Sequence, residues 1–317
     1  MRDSWIVEPP DAGVRLDKFL ASEGRLGSRS RAAAALGRGK VFLNDSEIGA
    51  DSAAVRLSPG DTVGVWMDRP GSAHRRPVRG PRPGELSIVY EDDALVVVDK
   101  PPGLLSVPLP RRRDAPSVEE MLGHQLRSRR GRRPLVVHRI DRDTSGLVLF
   151  ATRPDAQDRL KDQFRRHSAE RVYLAVVYGV PAPEQGVWVD ALVWDEDELI
   201  QKQTHGHDPR GRPAKSHYRV VESFGTAASL IEVSLVTGRR NQIRLQARLR
   251  GHTLVGEQRY VYGPQSIRNI DFERQALHAA RLGILHPLSG RPMRFETPMP
   301  ADMDQLVQRL RAEKDAR

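Results

Sequence analysis

Residues 136–151 read VVHRIDRDTSGLVLFA. Two apolar runs, Val136-Val137 and Leu147-Val148-Leu149-Phe150-Ala151, flank a short loop carrying His138, Arg139, Asp141, Arg142 and Asp143. Short apolar runs of this kind read as buried strands. Charge held between buried strands is costly unless it is paired or used, so the loop is either a salt-bridge knot or a site. In extended backbone Arg139, Asp141 and Asp143 share one face. The pattern alone leaves both readings open.

Downstream, residues 154–168 have helical spacing, with Leu160 and Phe164 at i, i+4, and residues 171–180 alternate as a strand. Further strands fit residues 216–222 and 229–236, and residues 241–251 form a basic helix with Arg244 and Arg248 on one face. Upstream, residues 86–90 and 94–98 read as a hairpin around a turn at Glu91-Asp92-Asp93. The second strand stops at Lys100-Pro101-Pro102, because proline cannot donate to a ladder. Ser117-Val118-Glu119-Glu120 is a capping box that opens a helix. Strands outnumber helices and are often sequence neighbours, which predicts an α+β fold with a mostly antiparallel sheet and flanking helices.

Residues 69–84, RPGSAHRRPVRGPRPG, contain five Arg and four Pro and no apolar period, so they read as a partly extended linker. Ahead of it lies a small block. Leu16, Phe19 and Leu20 have helical spacing there, a second basic helix fits residues 30–36, and Val41-Phe42-Leu43 runs into a turn at Asn44-Asp45. A turn at Ser58-Pro59-Gly60-Asp61 precedes a strand at residues 62–66.

Composition narrows the function. The 317 residues include 51 Lys and Arg against 41 Asp and Glu, a formal charge of +10, and only seven of the cations are Lys. Arginine meets phosphate as a planar fork, so this excess suits a polyanionic partner, although a GC-rich genome gives the same bias. There is no cysteine, which excludes disulfides, thiolate nucleophiles, Fe–S clusters and Cys-based zinc sites. No apolar run approaches the ~18 residues a membrane span needs. Met1-Arg2-Asp3-Ser4-Trp5 lacks a signal-peptide core, so export is not expected. His205 and His207, with His217 nearby, have no Cys partner and read as a polar loop, not metal ligands.

The charged loop settles into a reading through resemblance. HRIDRDTSGLVLFA resembles the signature of the RluA-type pseudouridine synthases, in which an HRLD-type motif carries the catalytic aspartate. Three more stretches agree in order: IVYEDDALVVVDKPPGLLSVP at 88–108, RVYLA at 171–175, and TGRRNQIR at 237–244 followed by Gly251-His252 and Val255-Gly256. Leu277-His278-Ala279 and His286-Pro287 also fit. The family often has His where Asn241 stands and Asp where Glu257 stands; both replacements keep the polar character. The N-terminal block resembles the alpha-L RNA-binding module, through residues 14–20 (VRLDKFL), 28–32 (SRSRA), 39–44 (GKVFLN) and Pro59-Gly60-Asp61.

The resemblance implies four segments: an alpha-L module at 14–67, a basic linker at 68–84, a pseudouridine synthase domain with a central basic cleft at 85–305, and a helical tail at 306–317. It implies a bacterial, cytoplasmic, monomeric isomerase that converts uridine to pseudouridine in structured RNA, with large-subunit ribosomal RNA the first expectation and tRNA the alternative. Asp141 takes the part of the catalytic carboxylate, Arg244 that of its charge partner and Tyr173 that of the ring packed on uracil. Arg139 would fill the space left by the flipped base. Arg239 is expected to touch phosphate or to be structural, and Arg29, Arg31 and Lys40 to hold RNA backbone. No bond is oxidised, reduced or hydrolysed, so no cofactor and no metal are expected. The competing readings are a non-catalytic RNA-binding or ribosome-assembly protein and, more distantly, a glycosidase with the same carboxylate chemistry.

Overall fold

The computed structural model describes residues 3–37, 39–67, 86–108, 116–130, 133–264 and 267–315, without the side chains of 127–130. The expected linker at 68–84, Arg111–Arg113 and residues 131–132 lie outside that description.

The N-terminal block comprises β1 (Asp3–Ile6), α1 (Leu16–Ala21), α2 (Arg29–Gly37), β2 (Val41–Leu43), β3 (Ser46–Ile48) and β4 (Thr62–Val65), with sheet order β1-β4-β2-β3. The helical spacing of Leu16, Phe19 and Leu20 puts all three onto Ala32, Ala35 and Leu36 of α2 and onto Val41, Val63 and Val65 of the sheet. The β2–β3 hairpin closes through Asn44 and Asp45, at φ 48° and 62°. A two-residue turn that matches strand twist needs positive φ at both positions, which Asn and Asp tolerate.

The body follows as β5 (Ser87–Glu91), β6 (Leu95–Lys100), α3 (Val118–Arg130), β7 (Leu135–Val136), β8 (Ser145–Ala151), α4 (Pro154–Arg165), β9 (Glu170–Tyr178), β10 (Gln185–Asp195), β11 (Ile200–Thr204), β12 (Arg212–Phe224), β13 (Ala228–Leu235), α5 (Gln242–Leu249), β14 (Leu277–Leu285), β15 (Pro292–Glu296) and α6 (Ala301–Asp315). One sheet runs β11-β10-β12-β13-β9-β14-β8-β6-β5, with β15 beside β14 and β7 beside β8. Among the named strands of the described residues only β14 and β8 pair in parallel. The α+β, mostly antiparallel architecture agrees with the pattern of the sequence.

β8 explains its own apolar run. Every residue of it is buried, because the sheet is covered on both faces. Val148 and Phe150 pack with α3 and α5 on one side, and Leu147, Leu149 and Ala151 with α4 on the other. Gly146, at φ 108°, lies where β8 meets β14, and a methyl there would overlap the Ala279 carbonyl. The charged loop therefore enters the sheet at a seam that leaves no room for a side chain at Gly146. Ser117 caps the helix as read, its Oγ accepting the Glu120 N–H at 3.3 Å, while the Glu120 carboxylate accepts from the Ser117 hydroxyl at 2.8 Å. α6 is longer than the expected tail. It starts at Ala301 and buries Met303, Leu306, Val307 and Leu310 against Val176, Phe224 and Leu230.

Candidate active site

Residues 138–144 do not continue the strand. A turn closes from Thr144 N–H to the Asp141 carbonyl at 3.2 Å, so Arg139, Asp141 and Asp143 do not share one extended face. Asp143 pairs outward with Arg142 at 3.0 Å. Asp141 turns inward. Its Oδ2 accepts from Arg244 Nη1 at 3.0 Å and from Asn241 Nδ2 at 2.6 Å. These partners lie about a hundred residues further along the chain, on the α5 side of the cleft.

α5 and its entry loop set that geometry. Gln242, buried at the helix start, accepts from Thr237 Oγ1 at 2.8 Å and Arg239 N–H at 2.9 Å and donates to Ser216 at 2.9 Å, which fixes the 237–242 loop. Asn241 precedes the helix in a left-handed conformation, φ 52°, and so swings its amide toward Asp141. Asn and His are both enriched at positive φ, and both can present an N–H. The exchange of one for the other keeps the backbone and the donor together. The Asn241 oxygen accepts from Tyr260 Oη at 3.2 Å, and that Oη accepts from Gln201 N–H at 2.9 Å, so the amide is oriented.

Arg244 is gripped from behind by Glu257, at 2.6 Å to Nε and 2.7 Å to Nη2. The Glu257 side chain is 0% exposed and also accepts Arg259 and Tyr260 N–H groups at 2.8 and 3.1 Å. Burial pushes the Glu257 carboxyl up, but the Arg244 hydrogen bonds and charge outweigh it and hold the group below its ordinary range. Burial lowers and the two carboxylates raise Arg244, with a net rise. A bidentate clamp of this kind fixes a guanidinium in direction as well as charge. Glu257 thus positions Arg244, and Arg244 positions Asp141.

Lys100 holds the loop from below. It is 0% exposed, and its Nζ donates to the carbonyls of Pro101, Leu104 and Arg142 at 2.9, 2.8 and 2.7 Å. All three ammonium hydrogens are used, one of them on the residue after Asp141. Burial lowers its pKa to about 7. Ser145 Oγ lies 3.0 Å from His278 Nδ1, and His286 lies 2.9 Å from Asp92 at the β5–β6 turn. The late histidines support structure near the loop and the hairpin.

Two cavities meet at Asp141. One, of about 620 Å³, is lined by His138, Arg139, Asp141, Phe164, Arg171, Tyr173 and the 238–244 segment. The other, of about 1280 Å³, shares Arg139, Asp141, Arg240 and Arg244 and extends to Trp194, Arg259 and Arg274. Arg139 is exposed at their junction. Tyr173 is buried on β9, and burial pushes its phenol up to about 12. Arg240 stacks on Trp194 at 3.8 Å. Arg239 donates Nε to the Pro213 carbonyl at 3.0 Å.

In the N-terminal block Arg29 and Arg31 are exposed on α2. Lys40 is not. It is 2% exposed, and its Nζ lies 3.5 Å from Asp93 of the body. The expectation of a phosphate contact at Lys40 gives way, because Asp93 has already drawn that charge off the surface. Sequence reasoning did not find Glu257 as the clamp, Gln242, Tyr260 or Arg171. The local signals were an acidic residue directly after Val255-Gly256 for Glu257 and a place inside the TGRRNQIR motif for Gln242.

The family profile described as RNA pseudouridylate synthase matches residues 94–249. The chain is 37% identical to the ribosomal large subunit pseudouridine synthase D of Zymomonas mobilis, over 94% of both chains. It is 36% identical to an RNA pseudouridine synthase of Bacillus subtilis described as uncharacterized, again over 94% of both. In fold it resembles the human RNA pseudouridylate synthase domain containing 4, with a TM-score of 0.58, 21% identity, and coverage of 71% of this chain and 92% of that one.

Proposed function

The chain belongs to the RNA pseudouridylate synthase family, and on that premise we propose that it isomerises specific uridines of large-subunit ribosomal RNA through Asp141 and without a cofactor. That it is an RNA pseudouridine synthase, an isomerase, follows from family membership. The choice of ribosomal RNA rests on relatives named ribosomal large subunit pseudouridine synthase D. A cytoplasmic monomer suits that substrate; among the described residues no helix is long and apolar enough to cross a membrane.

The observation that supports the mechanism is one carboxylate oxygen held by Arg244 and Asn241 where two cavities join. The flipped uridine enters the smaller cavity, and Arg139, exposed at the junction, takes the place it leaves in the stack. Asp141 then either attacks C1′ or removes the C2′ proton. On both routes the N1–C1′ electron pair goes to the base. The uracil turns on Tyr173 and C5 bonds to C1′ as the Asp141–C1′ ester bond breaks or, on the other route, as Asp141 returns its proton to C2′; the C5 proton is then lost while N1 gains one. The Tyr173 hydroxyl takes part in that exchange. The reaction is redox-neutral and consumes no water, which is why no cofactor is required.

The test is tritium release from RNA carrying 5-tritiated uridine, using ribosomal RNA from cells that lack the gene. Wild type should release tritium, and Asp141→Asn should bind the same RNA and turn over at least about 10³-fold more slowly. Turnover of Asp141→Asn within tenfold of wild type would remove Asp141 from the mechanism.

A further inference from the structure

Arg171 is the second arginine buried in the smaller cavity, and it is used quite unlike Arg244. It is 9% exposed. Its Nη2 donates to the Val236 carbonyl at 3.1 Å, its Nε is buried with no partner, and no carboxylate among the described residues pairs with it. A buried charge without a counter-ion is expensive, and removing it in favour of an apolar side chain is often neutral or stabilising. Burial accordingly pushes the guanidinium below its ordinary pKa.

Its placement is built. Arg171 and Tyr173 lie two apart on β9, so both project to the same face. The guanidinium lies 5.5 Å from the Phe164 ring, which stacks on His138 at 4.6 Å. Burial, and next the charge of Arg171, lower His138 to about 3, so the imidazole is neutral and brings no charge of its own. Gly238 makes the room: a Cβ there would overlap Arg171 Nη1.

We propose that Arg171 is a catalytic residue that takes up the negative charge developing on the uracil when its N1–C1′ bond breaks. The inference rests on the isomerase reading but not on the choice between its routes. If Asp141 attacks C1′, the carboxylate becomes a neutral ester; if it removes a proton, it becomes a neutral acid. In both cases one unit of negative charge leaves Asp141, and the N1–C1′ electron pair appears on the base, spread over N1, O2 and O4. Arg244 and Asn241 hold the charge where it starts. Arg171, beside the ring that receives the base, has unused donors where it arrives. A fixed donor that strengthens only as charge develops lowers the barrier without tightening substrate binding.

The full-length chain tests this through four variants, Arg171→Met, Arg171→Lys, Gly238→Ala and Asp141→Asn. For each, RNA affinity, single-turnover tritium release at saturating ribosomal RNA and Tm are measured. Arg171→Met should lose tenfold or more in rate, keep its RNA affinity within about threefold and match or exceed the wild-type Tm; Arg171→Lys should fall between. Gly238→Ala, which displaces the guanidinium without deleting it, should lose rate in the same way, and keeps the test open if Arg171→Met fails to fold. An unchanged rate in Gly238→Ala or in folded Arg171→Met overturns the assignment. So does a loss confined to affinity, which would make Arg171 a phosphate contact, or a Tm that falls while the saturated rate stays intact. A wild-type chain that releases no tritium would instead sink the isomerase reading itself, with Asp141→Asn as the blank.

Discussion

On α2, Arg29 and Arg31 face solvent and carry no ion pair among the described residues, whereas Arg244 in the cleft lies between two carboxylates and is nearly enclosed. Each exposed guanidinium keeps its hydration and its freedom until a ligand arrives, so its contribution is charge that salt can screen. Arg244 has lost both and serves as a fixed strut whose two faces hold Glu257 and Asp141. On the proposed reading, the same side chain supplies affinity in one region, where Arg29 and Arg31 meet RNA, and geometry in the other. Mutation should separate those uses, because affinity is lost in small, salt-dependent steps and geometry is lost all at once.

The largest effect is expected at Arg244. Arg244→Ala should cost at least about 10²-fold in turnover, and it leaves Glu257 buried without a counter-charge, a loss on the order of 3–5 kcal/mol in stability. Arg240→Ala removes a stack on Trp194 and a charge from the cavity wall but no hydrogen bond to Asp141, and should cost far less, about tenfold or below. Arg244→Met combined with Glu257→Gln should regain much of the stability in chemical denaturation and none of the turnover. If the two single alanine variants lose activity equally, the α5 arginines are RNA contacts and the strut reading fails.

Lys100 sharpens the comparison from the stability side. Its folded pKa of about 7 lies below the value of about 10.5 for an unfolded chain. Between those values the unfolded state binds more protons, so stability rises with pH across that window. Wild type should therefore gain on Lys100→Met between pH 7 and 10, by up to a few kcal/mol, with the cost of the buried charge greatest below pH 7. Denaturation midpoints for both proteins across that range would show it. A constant difference would mean that the three carbonyls stabilise the ammonium as fully as water does.

Asn241 tests whether the donor or the residue type matters. Asn241→Ala should lose about tenfold, having neither the donor to Asp141 nor the tolerance of φ 52°. Asn241→His should stay within a few-fold of wild type, since it restores both. Steady-state turnover on one RNA separates the two, and equal losses would show that the amide itself is required.

How far the sequence carried these assignments depended on distance along the chain. β8 and its flanking loop were legible because a run of apolar residues buried on both faces has no other comfortable place. α4, β9 and α5 followed from local period, and the motif resemblance marked Asp141, Tyr173 and Arg244. The hairpin of β10 and β11 was not legible, since β10 alternates buried and exposed residues irregularly and carries exposed Val187 and Val189. β1 is too short to announce itself. The extended face expected for Arg139, Asp141 and Asp143 gave way to a turn that Lys100 pins from another strand. Contacts such as Asn241 to Asp141, or Lys40 to Asp93, exist only after distant segments have met, and no local pattern encodes them.

The smallest effect, and the one that most directly probes the exposed half of the comparison, is expected at Arg29 and Arg31. If each makes one phosphate contact, its removal reduces the slope of log affinity against log salt by roughly 0.7–0.9. Arg29→Ala/Arg31→Ala should then bind ribosomal RNA several-fold more weakly at low salt and approach wild type as salt rises. Turnover at saturating RNA should be unchanged, because neither residue belongs to the cavities at Asp141. Lys40→Ala should leave the slope alone, since its charge is already matched by Asp93. A slope that falls equally for Lys40→Ala would mean that RNA pulls Lys40 out of its pair, so that the N-terminal block rearranges on binding. A double arginine variant that lost turnover at saturation would mean that this block helps to set the geometry of the cleft, and the division between affinity and geometry would no longer follow the boundary between the two regions.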